Sequence, residues 1–281
     1  MKIIECPRDA MQGIKEFIPT EKKIAYLNAL LRVGFDTLDF GSFVSPKAIP
    51  QMQDTAEVLA NLDLNETSTK LLAIIANVRG AEDAAQHQPI DYLGFPLSVS
   101  ETFQQRNTNK SIAEAMEQLA QIQDICHRHG KTLVTYISMG FGNPYNDPWD
   151  AETVIRFVEE LHKLDVKIIS LSDTIGVSNP DNIKYLFESL IPAFKSIEFG
   201  AHLHTTPTTW QEKVEAAYNA GCRRFDGAMR GFGGCPMAKD ELVGNMATEN
   251  LVAYFEKIGL NLNLNKAAFD VALAEANAVF S

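Results

Sequence analysis

Along this chain, short apolar runs alternate with longer stretches in which apolar positions recur every three or four residues, the signatures of strand and helix. The first run, Ile3 to Cys6, ends at Arg8-Asp9. A helical pattern from about Glu21 to Val33 follows, with Pro19-Thr20 at its start and Gly34 as its stop, and Thr37 to Phe40 reads as a second strand. A helix around Ile49 to Asn61 leads to a third strand, Leu71 to Ala76, which ends at Asn77. A short helix from Ala81 precedes a fourth strand, Tyr92 to Phe95, running out near Ser98–Ser100. The connection Glu101 to Lys110 then leads to a helix from Ser111 to about His129, its apolar positions being Ile112, Met116, Leu119, Ile122 and Cys126. Thr132 to Ser138 is the fifth strand, broken by Gly140-Phe141-Gly142-Asn143-Pro144. After a helix from Ala151 to Leu164 come a sixth strand, Val166 to Leu171, closed by Asp173-Thr174, and a helix over 181–190. The seventh strand, Ser196 to His204, is followed by a helix from Trp210 to Ala220, and Arg224 to Gly227 is the eighth strand. Two more helical patterns, at about 246–258 and 266–279, finish the chain.

Eight strand-then-helix units without a linker predict an α/β fold: a (β/α)8 TIM barrel with extra C-terminal helices, one domain over residues 1–281. The polar residues agree. Arg8-Asp9, Asp39, Asn77, Ser98–Ser100, Tyr136–Ser138, Ser170–Asp173, His202–His204 and the glycine-rich Arg230–Cys235 segment all fall at strand C-termini, where such barrels gather catalytic groups. A doubly wound open sheet calls for a glycine-rich phosphate turn after the first strand. Pro7-Arg8-Asp9-Ala10 stands there instead.

Composition narrows the partners. With 46% hydrophobic residues the chain has material for a large core. A net charge of −11 argues against nucleic acid, which needs a basic footprint, and against an anionic membrane surface. It leaves open a small anionic substrate met by a local cation. Cys6, Cys126, Cys222 and Cys235 form no C-x-x-C pair and no disulfide framework, so a cytoplasmic, reducing setting is expected. The N-terminus enters an apolar strand at once, without a signal-peptide pattern, and no apolar run approaches the ~18 residues of a membrane span.

The candidate chemistry centres on His202-Leu203-His204. Histidines two apart on a strand point to one face and can converge on a cation. Asp9, Cys235 and Asn245 are the other groups a barrel would bring near. Asp9, His202 and His204, with the Asn245 amide, suit Mg²⁺, Mn²⁺ or another divalent ion acting as a Lewis acid, and Arg8 beside them suits an enolate. These are the parts of an aldol- or Claisen-type site. Each has a structural reading too: Arg8-Asp9 as an ion pair, Cys235 as a small buried hydrophobe, the glycines as a loop, Asn245 and Asp173 as helix caps.

The motifs resemble the 3-hydroxy-3-methylglutaryl-CoA lyases, within the metal-dependent DRE-TIM lyase and synthase barrels, over almost the whole chain. Pro7-Arg8-Asp9 with Gln12 resembles the opening P-R-D-x-x-Q. Ser42-Phe43-Val44-Ser45-Pro46-Lys47 followed by Pro50-Gln51-Met52 resembles S-F-V-S-P-K and P-Q-M. Ser100-Glu101, Phe103, Asn107, Asn109 and Ser111-Ile112 follow its S-E-x-F…N-x-N-x-S-I loop. Asp173-Thr174-Ile175-Gly176-Val177, His202-x-His204, Gly231-Phe232-Gly233-Gly234-Cys235-Pro236 and Gly244-Asn245-x-Ala247-Thr248-Glu249 complete the likeness in order.

The resemblance implies cleavage of 3-hydroxy-3-methylglutaryl-CoA to acetyl-CoA and acetoacetate, with a related aldolase or synthase as the alternative. It implies Asp9, His202, His204 and Asn245 around Mg²⁺ or Mn²⁺, a proton relay through His202 or Asp9, Arg8 on the enolate oxygen, and Cys235 in the final proton transfer. Asp39 joins the catalytic set beside Arg8, and Arg8, Gln12, Ser42, Ser170 and Thr174 are expected to meet substrate. An acyl-CoA partner and a homodimer or other homo-oligomer are expected. The chain departs from the family in having Asp39 where Glu is usual, one methylene shorter, which is expected to lose or re-space the contact to Arg8. Thr205-Thr206 replaces the usual Asp-Thr after the histidines.

Overall fold

The computed structural model describes residues 1–234 and 243–280. In chain order its strands and helices are β1 Lys2–Glu5, α1 Pro7–Gln12, α2 Thr20–Leu31, β2 Thr37–Ser42, α3 Thr55–Ala60, β3 Lys70–Ile74, α4 Val78–Ala85 and β4 Ile90–Ser98. They continue with α5 Glu101–Thr108, α6 Ile112–His129, β5 Thr132–Ser138, α7 Ala151–Lys163, β6 Ile168–Asp173, α8 Pro180–Ala193 and β7 Glu198–Thr205. The last are α9 Trp210–Asn219, β8 Arg224–Gly227, β9 Gly244–Asn245, α10 Thr248–Lys257 and α11 Lys266–Phe280. Strands β1 to β8 pair in parallel with their sequence neighbours, and β8 pairs with β1, so the sheet closes on itself. This is the expected (β/α)8 barrel, with α10 and α11 as the additional C-terminal helices.

Because both faces of a barrel strand are covered, the strands are buried nearly end to end. Alternation divides them into two sets. Leu72, Ile74, Val134, Tyr136 and Ile168 form an apolar cluster of their own, separate from the large cluster between strands and helices. They alternate with outward Leu71, Ala73, Leu133, Ile137 and Ile169, so this small cluster fills the barrel lumen. Gly94 belongs to the same layer: a Cβ there would lie 2.5 Å from Ile74 Cδ1. Further along the inward row the side chains turn polar.

The helices stop and start where their caps dictate. Ser111 and Glu114 form a capping box at the head of α6, a device worth about 1 kcal/mol, and Gly130 ends that helix in the left-handed region. Asn77, Ser100, Asp150 and Asn179 cap α4, α5, α7 and α8 in the same way.

Past the end of the first strand, Pro7 opens the short helix α1, which carries Arg8 and Asp9 and where a missing N–H costs nothing. Two local expectations are corrected. Glu101 to Lys110 is not an open connection but mostly α5, which buries only Phe103 and Gln104 and so lacks an apolar stripe. The helix read over Ile49–Asn61 is a 3₁₀ turn, Pro50–Met52, followed by α3. The two-residue strand β9, too short to leave a pattern, pairs antiparallel with the end of β7 and sets Asn245 against His204.

Candidate active site

A cavity of about 330 Å³ opens at the C-terminal end of the barrel. Arg8, Asp9, Gln12, Ser138, Ser172, Thr174, His202 and His204 supply its polar wall, and Val44, Ile49, Ile74, Ala76, Pro96, Phe103 and Tyr136 its apolar wall.

The short helix α1 delivers three of these groups. Arg8 and Gln12, four apart on a helix, share a face, and Arg8 Nη1 donates to Gln12 Oε1 and to Asp9 Oδ1, both at 3.0 Å. Gln12 Nε2 donates to Asp9 Oδ1 at 2.7 Å. Asp39, from β2, accepts from Arg8 Nε at 3.0 and 3.1 Å and from Nη2 as well. The contact, expected to be lost or re-spaced, is present: the shorter side chain still reaches Arg8 with both oxygens. Burial pushes Asp39 up to about 6 against the pull of the guanidinium, so the carboxylate form prevails at neutral pH. An arginine has five N–H groups. Four are committed to Asp39, Asp9 and Gln12, which leaves one on Nη2 beside the cavity.

The histidines come from β7. Among the described residues, Asp9, His202 and His204 offer ligand atoms all within 4.8 Å of one another. Asp9 Oδ2 lies 4.0 Å from His202 Nε2, beyond hydrogen-bonding reach and suited to two ligands of a shared cation. Burial works against ionising Asp9, but the charges of Arg8, His202 and His204 and the Asn245 hydrogen bond outweigh it and hold the carboxyl low. Burial, then the neighbouring His202, lowers His204 to about 4, so it is neutral with a lone pair to give, and its Nδ1 is buried without a hydrogen bond. A neutral imidazole with a buried nitrogen free of hydrogen bonds, clustered with an ionised carboxylate and a second imidazole, fits a divalent cation.

Asp226, on β8, is a site residue that sequence reasoning missed. Its Oδ2 lies 3.1 Å from His202 Nδ1, and it is 3% exposed. Burial opposes protonation of His202, but the hydrogen bond and charge of Asp226 win, and the imidazole is held above its usual value. The bond leaves Nε2 directed to the cavity, the carboxylate–histidine arrangement common behind metal-binding and proton-carrying histidines. Its one signal in the sequence was an aspartate at inward parity in Arg224-Phe225-Asp226-Gly227. Cys6, His202 and Asp226 form a second ligand-spaced group. Burial drives the Cys6 thiol well up, and His202 Nδ1 is already engaged, so the group that faces the cavity is the better cation site.

The remaining expected residues divide. Thr174 lines the cavity, its hydroxyl accepting from Met139 N at 2.8 Å. Asn245 donates from Nδ2 to Asp9 Oδ2 at 2.7 Å, so the amide nitrogen, not the oxygen expected at a cation, faces that carboxylate. The two ends exchange by a half-turn of the amide. Ser42 and Ser170, expected at substrate, do not line the cavity. Ser42 Oγ accepts from Val44 N and closes the end of β2, and Ser170 lies a layer deeper, 3.4 Å from Asp226. Asp173 points outward to Ser178 and to Lys213, which also donates to the His204 carbonyl and so steadies β7. Cys235 lies outside the described residues. Gly234, just before it, lines the cavity.

Comparison with known proteins gives a consistent result. A family model described as HMGL-like matches residues 2–274. The hydroxymethylglutaryl-CoA lyase YngG of Bacillus subtilis is 34% identical over 258 residues, 92% of this chain and 85% of that protein. A 3-hydroxy-3-isohexenylglutaryl-CoA/hydroxy-methylglutaryl-CoA lyase of Pseudomonas aeruginosa is 32% identical over 246 residues, 88% and 81% of the two chains. Among solved structures, the HMG-CoA lyase from Brucella melitensis matches with a TM-score of 0.92 at 30% identity, covering 99% of this chain and 97% of that one. An HMG-CoA lyase from Acinetobacter baumannii, in complex with coenzyme A and 3-methylmalate, matches with a TM-score of 0.90 at 31% identity, covering 99% and 90%.

Proposed function

The chain is a lyase of the HMGL-like family, and on that footing we propose that it cleaves 3-hydroxy-3-methylglutaryl-CoA to acetyl-CoA and acetoacetate in a divalent-cation-dependent reaction. The observation that carries the proposal is the convergence of Asp9, His202 and His204 on one point of the cavity, with the spare Arg8 N–H beside it.

Asp9, His202 and His204 would hold the cation, with Asn245 keeping Asp9 in place. Bound there, Mg²⁺ or Mn²⁺ supplies Lewis acidity toward the substrate's oxygen atoms. The protein's own groups account for the rest. The Asp9 carboxylate, giving up its Gln12 hydrogen bond, takes the proton of the tertiary C3 hydroxyl as the C2–C3 bond breaks, and C3 becomes the ketone of acetoacetate. Asp226 at Nδ1 keeps the His202 imidazole in the tautomer whose Nε2 lone pair is free for the cation. The bonding pair passes to C2 and the thioester oxygen, giving the enolate of acetyl-CoA. Arg8, clamped by Asp39, points its remaining N–H at that oxygen without having to reorganise. A proton delivered to C2 completes acetyl-CoA, and Cys235, next in the chain after Gly234, is the donor the family resemblance suggests. The apolar wall from Val44 to Tyr136 suits the 3-methyl group and excludes water from the enolate.

Turnover of 3-hydroxy-3-methylglutaryl-CoA with added Mg²⁺ or Mn²⁺, with and without chelator, tests this beside the His202→Ala variant. Chelator-sensitive release of acetoacetate, lost in the variant, is the expected result. Tight cation binding without release of acetoacetate would sink the proposal and turn attention to other 3-hydroxyacyl-CoAs.

A further inference from the structure

Three aromatic rings from distant parts of the chain meet beside the glycine segment that borders the cavity. Phe280, in the last turn of α11, stacks on Phe232 with ring centroids 4.5 Å apart and planes 25° from parallel. Tyr26 of α2, fully buried, also meets Phe280 edge-on, at 5.9 Å and 88°. Phe232 would otherwise be a poorly held residue: it is 37% exposed and flanked by Arg230, Gly231, Gly233 and Gly234, all at positive φ. Yet its backbone carries part of the site. The Phe232 carbonyl accepts from Asn245 Nδ2 at 2.9 Å, and the same nitrogen donates to Asp9 Oδ2. Gly233 is pressed so closely to this group that a Cβ there would lie 2.8 Å from Ala10 Cα, Asp9 O and Asn245 Nδ2.

We propose that Phe280 is a positioning residue: stacked on Phe232 and backed by Tyr26, it clamps the glycine segment so that the Phe232 carbonyl orients Asn245 against Asp9. The clamp couples the end of α11 to the candidate cation site. The inference rests on the proposed lyase reading for its kinetic readout and on the geometry alone for the others.

The backbone amides of Arg230 and Gly231, bonded to Glu249 Oε2 and to the Ala228 carbonyl, report on the segment by hydrogen exchange in the full-length protein. In Phe280→Ala, loss of one aromatic pair is expected to speed their exchange about two- to tenfold. Mn²⁺ affinity, titrated with the metal alone, should fall in parallel. The kcat for 3-hydroxy-3-methylglutaryl-CoA should drop about tenfold with KM little changed, as displacement of a site group rather than loss of a substrate contact demands. Phe280→Tyr, which keeps the ring, should restore all three. Unchanged exchange in Phe280→Ala, faster exchange with unaltered Mn²⁺ affinity and kcat, or failure of Phe280→Tyr to rescue would each overturn the proposal. Should Phe280→Ala loosen α11 and α2 throughout, Phe232→Leu decides, since it keeps apolar bulk but removes the stack. Faster exchange at the same two amides supports the clamp, and unchanged exchange refutes it. If the wild-type protein shows no turnover, the lyase reading fails, while exchange and Mn²⁺ affinity still decide the clamp.

Discussion

At the scale of single residues, the site works by pairing each reactive group with a partner that removes its freedom. Arg8 is fixed by Asp39, Asp9 and Gln12, and His202 is fixed by Asp226. Asp226→Asn therefore makes the sharpest residue-level prediction. An amide can donate to His202 Nδ1 and so favour the wrong tautomer, turning the Nε2 lone pair into an N–H. The expected cost is about 10–100-fold in both kcat and Mn²⁺ affinity, with folding unaffected, measured by steady-state kinetics and metal titration. Normal Mn²⁺ affinity in the variant would show that Asp226 does not act through the cation ligand His202. Asp226 also shows where reading the chain falls short. His202-x-His204 advertises itself by spacing, whereas an aspartate in a four-residue strand looks like a turn residue until the barrel closes and sets β8 beside β7.

At the scale of elements, the first strand is tied to the last part of the barrel through a buried carboxyl. Glu5, 0% exposed at the end of β1, accepts from Met229 N at 2.8 Å and from the hydroxyl of Thr248 at the head of α10. Burial pushes it up to about 8 from an ordinary 4.5, with the two hydrogen bonds pulling back. The folded protein thus holds this proton more tightly than the unfolded chain does. Its contribution to stability is whole below about pH 4.5 and is lost as pH rises toward 8. Wild-type Tm should fall over that window by more than Tm of Glu5→Gln, which cannot ionise, and scanning calorimetry of both from pH 5 to 9 measures the difference. Parallel pH profiles would show that Glu5 is already ionised in the folded state. Apolar stripes made most elements legible: Ile112, Met116, Leu119, Ile122 and Cys126 marked α6, whose first turn follows Ser111. The elements that went unread, α1, α5 and β9, are too short or carry too few buried apolar positions to leave a periodic pattern, and tertiary contacts hold them.

At the scale of the whole molecule, the apolar lumen and the large shell between strands and helices include none of Asp9, His202 and His204, so the barrel is expected to fold without a cation. Chelation should abolish turnover while leaving far-ultraviolet circular dichroism unchanged. Mn²⁺ at about a hundred times its Kd should stabilise the fold by roughly 2.7 kcal/mol, seen as a rise in Tm. Collapse of the dichroism on chelation would make the ion structural instead. Among the described residues no helix is long and apolar enough to cross a membrane, in keeping with an acidic chain of this composition.

The order of strands and helices, the closed barrel and the groups Arg8, Asp9, His202, His204 and Asn245 could be read from the chain, because periodicity, caps and short-range spacing are local properties. Which groups touch could not. That Asp39 reaches Arg8 despite its shorter side chain, that Asp226 stands behind His202, that Ser172 and not Ser170 faces the cavity, and that Phe280 stacks on Phe232 all follow from strand register and helix docking. Those are long-range matters, fixed when the eight strands close on one another and burial selects a single arrangement for the whole barrel.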